Sequence, residues 1–372
     1  MSGIKRFIND NPITMVILVI TIITMFIVPV DKEYISYFDM KTLCSLYCLI
    51  AVIECLKRTH FFEMLSEKII YLFKDTRSII LALVLSTFVC DLFLANDMSL
   101  ITVLPLTVII LVSTNNEKYL PLTLILQNIA ANMSGMITPH GNPQNLYLYS
   151  YYNIPTLEFI KILLPQFLIV LLLLIIFPIF LVKKEPVSLK KKSNYKIDKK
   201  MVAIYLGMFM ISLLTILRVI PVKIGMVIIT IGVLIFDPKA FKSMDWDLLL
   251  TFCAFFIFSG NIKRIEPVKI FLGNMMNHSV LLTGLLSCQF ISNVPSAVLL
   301  SNFTEDYKSL VTAVNIGSLG TLISSLASLI TLKIYLKTPK SDFGKYLLMF
   351  TVINIIFLAV LLAYTLFFGR NF

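Results

Sequence analysis

Residues Ala131–Tyr147 read ANMSGMITPHGNPQNLY and follow directly on an apolar, helix-like stretch. A run so rich in Asn, Gly, Pro and hydroxyls, with a single His, is either an ordinary loop or a place where a membrane helix is interrupted for a purpose. The rest of the chain decides between the two.

Of the 372 residues, 58% are hydrophobic and 14% charged, against roughly 45–50% and about 25% in soluble domains. Apolar runs near the ~20 residues that cross a bilayer recur at Pro12–Val30, Leu157–Val182, Met201–Leu217 and Lys345–Phe368. The composition therefore predicts an all-α polytopic membrane protein, and the runs leave no room for a soluble catalytic domain. Lys5, Arg6 and the first apolar run look like a signal peptide but lack a small-x-small cleavage site, so a retained first span is expected. The net charge of +11 is spread through the connecting loops. That distribution fits orientation signals for insertion and gives no reason to expect nucleic acid as a partner. Cys44, Cys48, Cys55, Cys90, Cys253 and Cys288 include no CxxC pair. Small apolar packing residues are a better reading of them than a soft-metal site.

Topology follows from the linker KKEPVSLKKKSNYKIDKK, residues 183–200, whose Lys content marks it as a cytoplasmic loop. Threading outward from it places the N-terminus inside, the loop 31–40 outside, and an amphipathic stretch, 60–74, inside. A hairpin at 77–113 re-enters from the inside, and a broken helix covers 119–139, with Gly141–Asn145 as an outer turn. Beyond the loop come three spans and a second amphipathic stretch, 262–276. A hairpin at 279–302 from the outside, a broken helix at 310–335 and a final span complete the chain. On this threading about two thirds of the 32 Lys and Arg lie inside.

The halves 1–182 and 201–372 repeat one another. FLAND (Phe93–Asp97) matches FISNV (Phe290–Val294), and NMSGMIT (Asn132–Thr138) matches NIGSLGT (Asn315–Thr321). Their shared order of elements, threaded in opposite directions, predicts two inverted-topology repeats, each with a re-entrant hairpin and a discontinuous transmembrane helix, the design of secondary transporters. Unwound backbone inside a membrane is tolerated where it lines a cavity or binds something. Gly and Ser alone would also serve close helix packing, but the Asn in each element and at each tip favours binding. The expected site comprises Asn96, Asp97, Asn132, Ser134, Gly135, Thr138, Ser292, Asn293, Asn315, Gly317, Ser318 and Thr321. Asp97, a carboxylate at an inner hairpin tip, is the candidate for proton or cation coupling. Asp91 and Glu54, with no counterpart in the second half, rank below it. His140 reads equally well as a loop residue and as a titrating group.

ANMSGMITPHGNPQNLYLYS, LANDMSLITVLPLTV, SNVPSAVLLSNF and VNIGSLGTLISSLASLI together resemble the ion transporter superfamily. Within it the chain is most similar to the citrate-transporter-like and arsenite-permease-like anion permeases. The resemblance covers essentially the whole chain and implies a scaffold, a transport part and an elevator-like movement. In dicarboxylate carriers of that superfamily the tips read Ser-Asn-Thr and contact sodium and substrate carboxylate. Here they read Ala95-Asn96-Asp97 and Ser292-Asn293-Val294. The Asn pair carries over; the first Ser and both Thr do not, and a carboxylate at Asp97 disfavours a dianion.

The expectation is thus a secondary transporter of a small anion or oxyacid in the plasma membrane, driven by a proton or sodium gradient. No resident cofactor is expected, and the partners are the lipid bilayer, the substrate and a coupling ion, with room for a homodimer. The alternative is a sodium/proton antiporter without organic cargo. An enzyme is disfavoured, since His60, His140 and His278 are the only His and neither HExxH nor GxSxG occurs. A channel is disfavoured by the paired repeat.

Overall fold

The computed structural model describes residues 12–61, 64, 68, 72–94, 96–187, 197–338 and 341–368; it includes the backbone of Asp97 but not its side chain. Every regular element among them is a helix. Most of the amphipathic stretch expected at 60–74 lies outside the described residues.

Helices α1 (Pro12–Ile27) and α2 (Met40–Lys57) precede a helical hairpin, α3 (Thr76–Asp91) and α4 (Asn96–Ser113). Two shorter helices follow, α5 (Leu120–Ser134) and α6 (Pro143–Tyr151), and then the 26-residue α7 (Thr156–Leu181). Beyond the basic loop come α8 (Lys199–Ile216), α9 (Val222–Phe236), α10 (Trp246–Arg264) and α11 (Glu266–His278). A second hairpin, α12 (Val280–Ile291) and α13 (Asn293–Leu300), leads to α14 (Tyr307–Ile316), α15 (Leu326–Leu336) and the 26-residue α16 (Phe343–Phe368). The succession of hairpin, two short helices and long helix therefore occurs in each half.

Local chemistry sets the starts. Asp39, Asp75, Asp198, Asp245, Ser279 and Asp306 each accept a backbone N–H of the helix that follows, which satisfies donors otherwise unpaired in the first turn. Pro143 stands in the first turn of α6, where its missing N–H costs nothing. Among the described residues, five helices are long and apolar enough to cross a membrane. Leu168, Leu172 and Phe180 of α7 and Leu348, Val352 and Ile355 of α16 remain exposed, as lipid-facing side chains do. The chain is a multi-pass α-helical membrane protein.

Helix α7 serves as a ruler across it. Near one end Glu158 pairs with Lys308, in the first turn of α14; beyond the other, Glu185 pairs with Lys118, just before α5. Helices α5 and α14 therefore enter from opposite rims. The Glu185 rim also holds the start of α3, through the Asp75–Pro186 bridge. With the 3-10 turns at its two ends, α5 forms the continuous helical run Glu117–Ile137, one of those five.

Two groups of helices pack together. In one, α2 lies against α8 and α9, and α1 against α10; in the other, α5 lies against α3, α4 and α15, and α12 against α14. The groups meet where α2 touches α6 and α10 touches α13, and the candidate site lies at that seam.

Candidate functional site

At the end of α5 the backbone leaves α-helical geometry through one 3-10 turn, Gly135–Ile137. The side chain of Asp91, last in α3 and fully buried, receives this break. Its Oδ2 accepts from Ser134 Oγ (2.8 Å) and from the Gly135 N–H (2.8 Å), and its Oδ1 accepts from Ser99 Oγ (3.1 Å). Asn142 Nδ2 donates to the Asn132 carbonyl (3.1 Å), and Asn145 Nδ2 donates to the Met136 carbonyl (3.2 Å). These are carbonyls or neighbours of carbonyls that an uninterrupted helix would have bonded itself.

The expectation that Gly141–Asn145 forms an outer turn is corrected here: Asn142 and Asn145 are wholly buried and Gln144 is 1% exposed. The segment is drawn inward because it supplies the hydrogen bonds that the break needs. Glycine is required at its start, since a Cβ on Gly141 would stand 2.5 Å from Gly135 Cα.

In the second half a neutral residue takes the place of Asp91. Gln289 of α12 donates through Nε2 to the Gly317 and Leu319 carbonyls (both 2.9 Å), while its Oε1 accepts the Thr321 N–H (2.9 Å). Ser324 Oγ donates to the Ser318 carbonyl (2.7 Å), and Ser318 Oγ to the Asn315 carbonyl (2.7 Å). The hairpin turns at Ser292, whose φ of +72° lies in the left-handed region that non-glycine residues seldom occupy. Its hydroxyl and the Asn293 N–H both donate to the Ser324 carbonyl (3.3 and 3.0 Å).

The two breaks are joined side chain to side chain. Asn315 Nδ2 donates to Asn145 Oδ1 (2.7 Å), and Ser325 Oγ donates to Asn132 Oδ1 (2.7 Å). Asn96 Nδ2 also reaches Asn132 Oδ1 (3.2 Å). With its amide turned, Asn96 instead donates to Asp91 Oδ1 (3.2 Å) and meets Asn142. Between them lies a cavity of ≈ 50 Å³, and both tip asparagines, Asn96 and Asn293, line it together with Gln144, Ser325 and Asp245. Ile50, Ile53, Leu248 and Val294 form its apolar wall.

The family model for citrate transporters (CitMHS) matches residues 8–306. The chain belongs to the citrate transporter family. Among related members, an uncharacterized transporter of Methanocaldococcus jannaschii is 34% identical over 339 residues, covering 89% of this chain and 91% of its own. The inner membrane protein YbiR of Escherichia coli is 29% identical over 335 residues, with 87% and 88% covered. The family and the archaeal relative are transporters by name.

In this member of the citrate transporter family the expected site residues divide by position. Asn96 and Asn293 line the cavity; Asn132 stands behind them, its Nδ2 unpartnered, as are Asn315 Oδ1 and Thr138 Oγ1. Ser134, Gly135, Gly317 and Ser318 belong to the hydrogen bonding of the breaks. Thr321 is exposed and its hydroxyl is taken by the Gln289 carbonyl (3.1 Å). Ser292 holds the tip, and the Asp97 side chain lies outside the described residues. Gln144, Ser325, Asn145 and Gln289 were missed by sequence reasoning, and Asp91, ranked below Asp97 there, is the residue that grips the first break. Position was the available signal, since Asp91 and Gln289 each stand just before their hairpin's tip. His140 packs beside the break, its Nε2 3.3 Å from the Leu92 carbonyl.

A second, larger cavity of ≈ 640 Å³ opens at the Glu158 rim, lined by Lys41, Lys263, Arg264 and Lys269 with Glu33 and Asp39. Arg264 is held by Asp31 (2.6 Å) and Glu33 (3.5 Å). Tyr147 lines this vestibule one helical turn along α6 from Gln144. Its ring packs on Phe256 at 5.6 Å and its hydroxyl meets Ser301 Oγ at 2.7 Å. Tyr147 and Phe256 both line the vestibule.

Proposed function

We propose that the chain is a secondary active transporter of a small anion or oxyacid, carboxylate or arsenite-like, coupled to a proton or sodium gradient. The observation that carries this reading is the meeting of both tip asparagines, Asn96 and Asn293, in one cavity beside two helix breaks entered from opposite rims. Each hairpin with its interrupted pair reads as one of two inverted repeats, and each hairpin as re-entrant. Breaks of this kind present N–H groups for an anion and carbonyls for a cation. Elevator-type alternating access then carries the joined breaks past α2 and α10. Asp97, beside Asn96, is the coupling residue, the N-terminus is cytoplasmic and the membrane is the plasma membrane.

Purified protein in liposomes should take up citrate, succinate, phosphate or arsenous acid when a pH or sodium gradient is imposed. Asn96→Ala and Asn293→Ala should each abolish uptake, and Asp97→Asn should uncouple it from the gradient. Unaltered uptake in both Asn variants would refute the site; unaltered coupling in Asp97→Asn would remove that residue from the scheme.

One observation favours the alternative, a sodium/proton antiporter without organic cargo: the cavity is small, and no basic side chain lines it among the described residues. Sodium-driven proton movement in liposomes with none of the four solutes present would support that reading.

A further inference from the structure

Gln144 is 1% exposed, and neither its Nε2 nor its Oε1 has a hydrogen-bond partner. A buried amide left in this condition is costly, and native structures rarely keep one without a use. It is not needed for the break, which Asn142 and Asn145 of the same segment bond instead. What Gln144 does is line the cavity with Asn96, Asn293 and Ser325. At ≈ 50 Å³, that space admits a few waters or one acid group.

The charge around the space is one-sided. Asp245 is the single ionisable side chain lining it among the described residues. Asp247 on the same helix and Glu54 and Lys57 on α2 act on Asp245, and Asp91 approaches from behind Asn96. Acids thus outnumber bases around the cavity, an unfavourable place for a bare oxyanion. A protonated acid group fits it. Its hydroxyl donates to Gln144 Oε1 while its second oxygen accepts from Nε2, so both orphaned atoms are satisfied by one planar pair.

Resting on the transporter reading above, we infer that the cavity binds its cargo in protonated form, with Gln144 as the residue that recognises the acid group. The proton then crosses with the cargo as its own hydroxyl hydrogen. Burial raises the Asp245 carboxyl above its ordinary value ahead of all other influences on it.

The test uses the full chain in detergent and four probes, citrate, succinate, phosphate and arsenous acid, titrated between about pH 5 and pH 8 with binding read as thermal stabilisation. Affinities of the first three should fall as pH rises, about tenfold per unit once a single proton must be taken up with the anion. Arsenous acid, uncharged over that range, should bind alike throughout. Gln144→Met should weaken all binding by about 30-fold through loss of two hydrogen bonds, and should melt no lower than wild type, since it removes no bond within the protein. Binding that tightens as the anions deprotonate, Gln144→Met binding unchanged, or no binding of any probe at the acid end would each overturn the inference. The wild-type series needs no variant, so refutation stays open even if Gln144→Met fails to fold. Gradient-driven uptake that follows fully deprotonated citrate would sink this inference and leave the transporter reading standing; the absence of any gradient-driven uptake would remove both.

Discussion

Replacing Asp91 tests the idea that one carboxylate holds the first break in shape. Its oxygens accept from Ser134, Gly135 and Ser99 at 2.8, 2.8 and 3.1 Å, with no solvent exposure. Hydrogen bonds to charged groups contribute about 1.5–3 kcal/mol each. Asp91→Ala removes all three and strands the buried Gly135 N–H, so a loss of roughly 4–6 kcal/mol is expected. Asp91→Asn is milder: the amide oxygen can keep the Ser134 and Gly135 bonds, and the Ser99 hydroxyl can rotate to accept from the amide nitrogen. Only the charge assistance disappears, about 1–3 kcal/mol in all. Thermal melting in detergent should rank wild type above Asp91→Asn and Asp91→Asn well above Asp91→Ala. Amide exchange should accelerate at Gly135 before it does in the middle of α5. An Asp91→Ala protein as stable as wild type, or an Asn variant worse than the Ala variant, would refute the clamp.

Two further outcomes follow from the same geometry. Gly141→Ala would drive a methyl group into the Gly135 backbone; a loss of several kcal/mol is expected, at least the ~1–3 kcal/mol of ordinary overpacking, and a normal yield of folded protein with an unshifted melt would contradict it. At the vestibule rim, the Arg264 guanidinium beside Asp31 holds that carboxyl below its ordinary value of 3.8. A depressed carboxyl stabilises the fold above its unfolded pKa and ceases to do so as pH falls through the folded one. The small advantage of wild type over Asp31→Asn in melting temperature should therefore be present at neutral pH, begin to shrink below the unfolded value and vanish as pH falls through the lower folded one; a gap that widens on acidification would reverse the assignment.

Much of the fold was legible because the signals are local. Span-length apolar runs and a Lys-rich loop are read without knowing what touches what, and Asn96, Asn132, Asn293 and Asn315 stand out against apolar neighbours. The clamps were harder to see. Asp91 bonds a backbone N–H 44 residues away, and nothing in its own flanks marks that partner. Gln289 differs from Asp91 in type and is offset by one position when the tips are aligned, so comparing the halves did not pair them. GNPQN has the composition of a turn at any depth. Only the carbonyls freed at Asn132 and Met136 explain why it is buried, and these belong to the three-dimensional break. Gln144 was hidden for the same reason: an unpartnered amide is a property of a place, not of a letter in the chain.

Each hairpin fastens the break of its own half, yet one fastening is an acid and the other an amide. On the alternating scheme the halves exchange roles as the carrier turns from one side of the membrane to the other. On that proposal, two halves that fasten their breaks with different groups need not have equal free energies in the two orientations. A carrier working as proposed would have a resting preference written into the Asp91/Gln289 difference, and a coupling gradient would work against or along a bias that exists before it is applied.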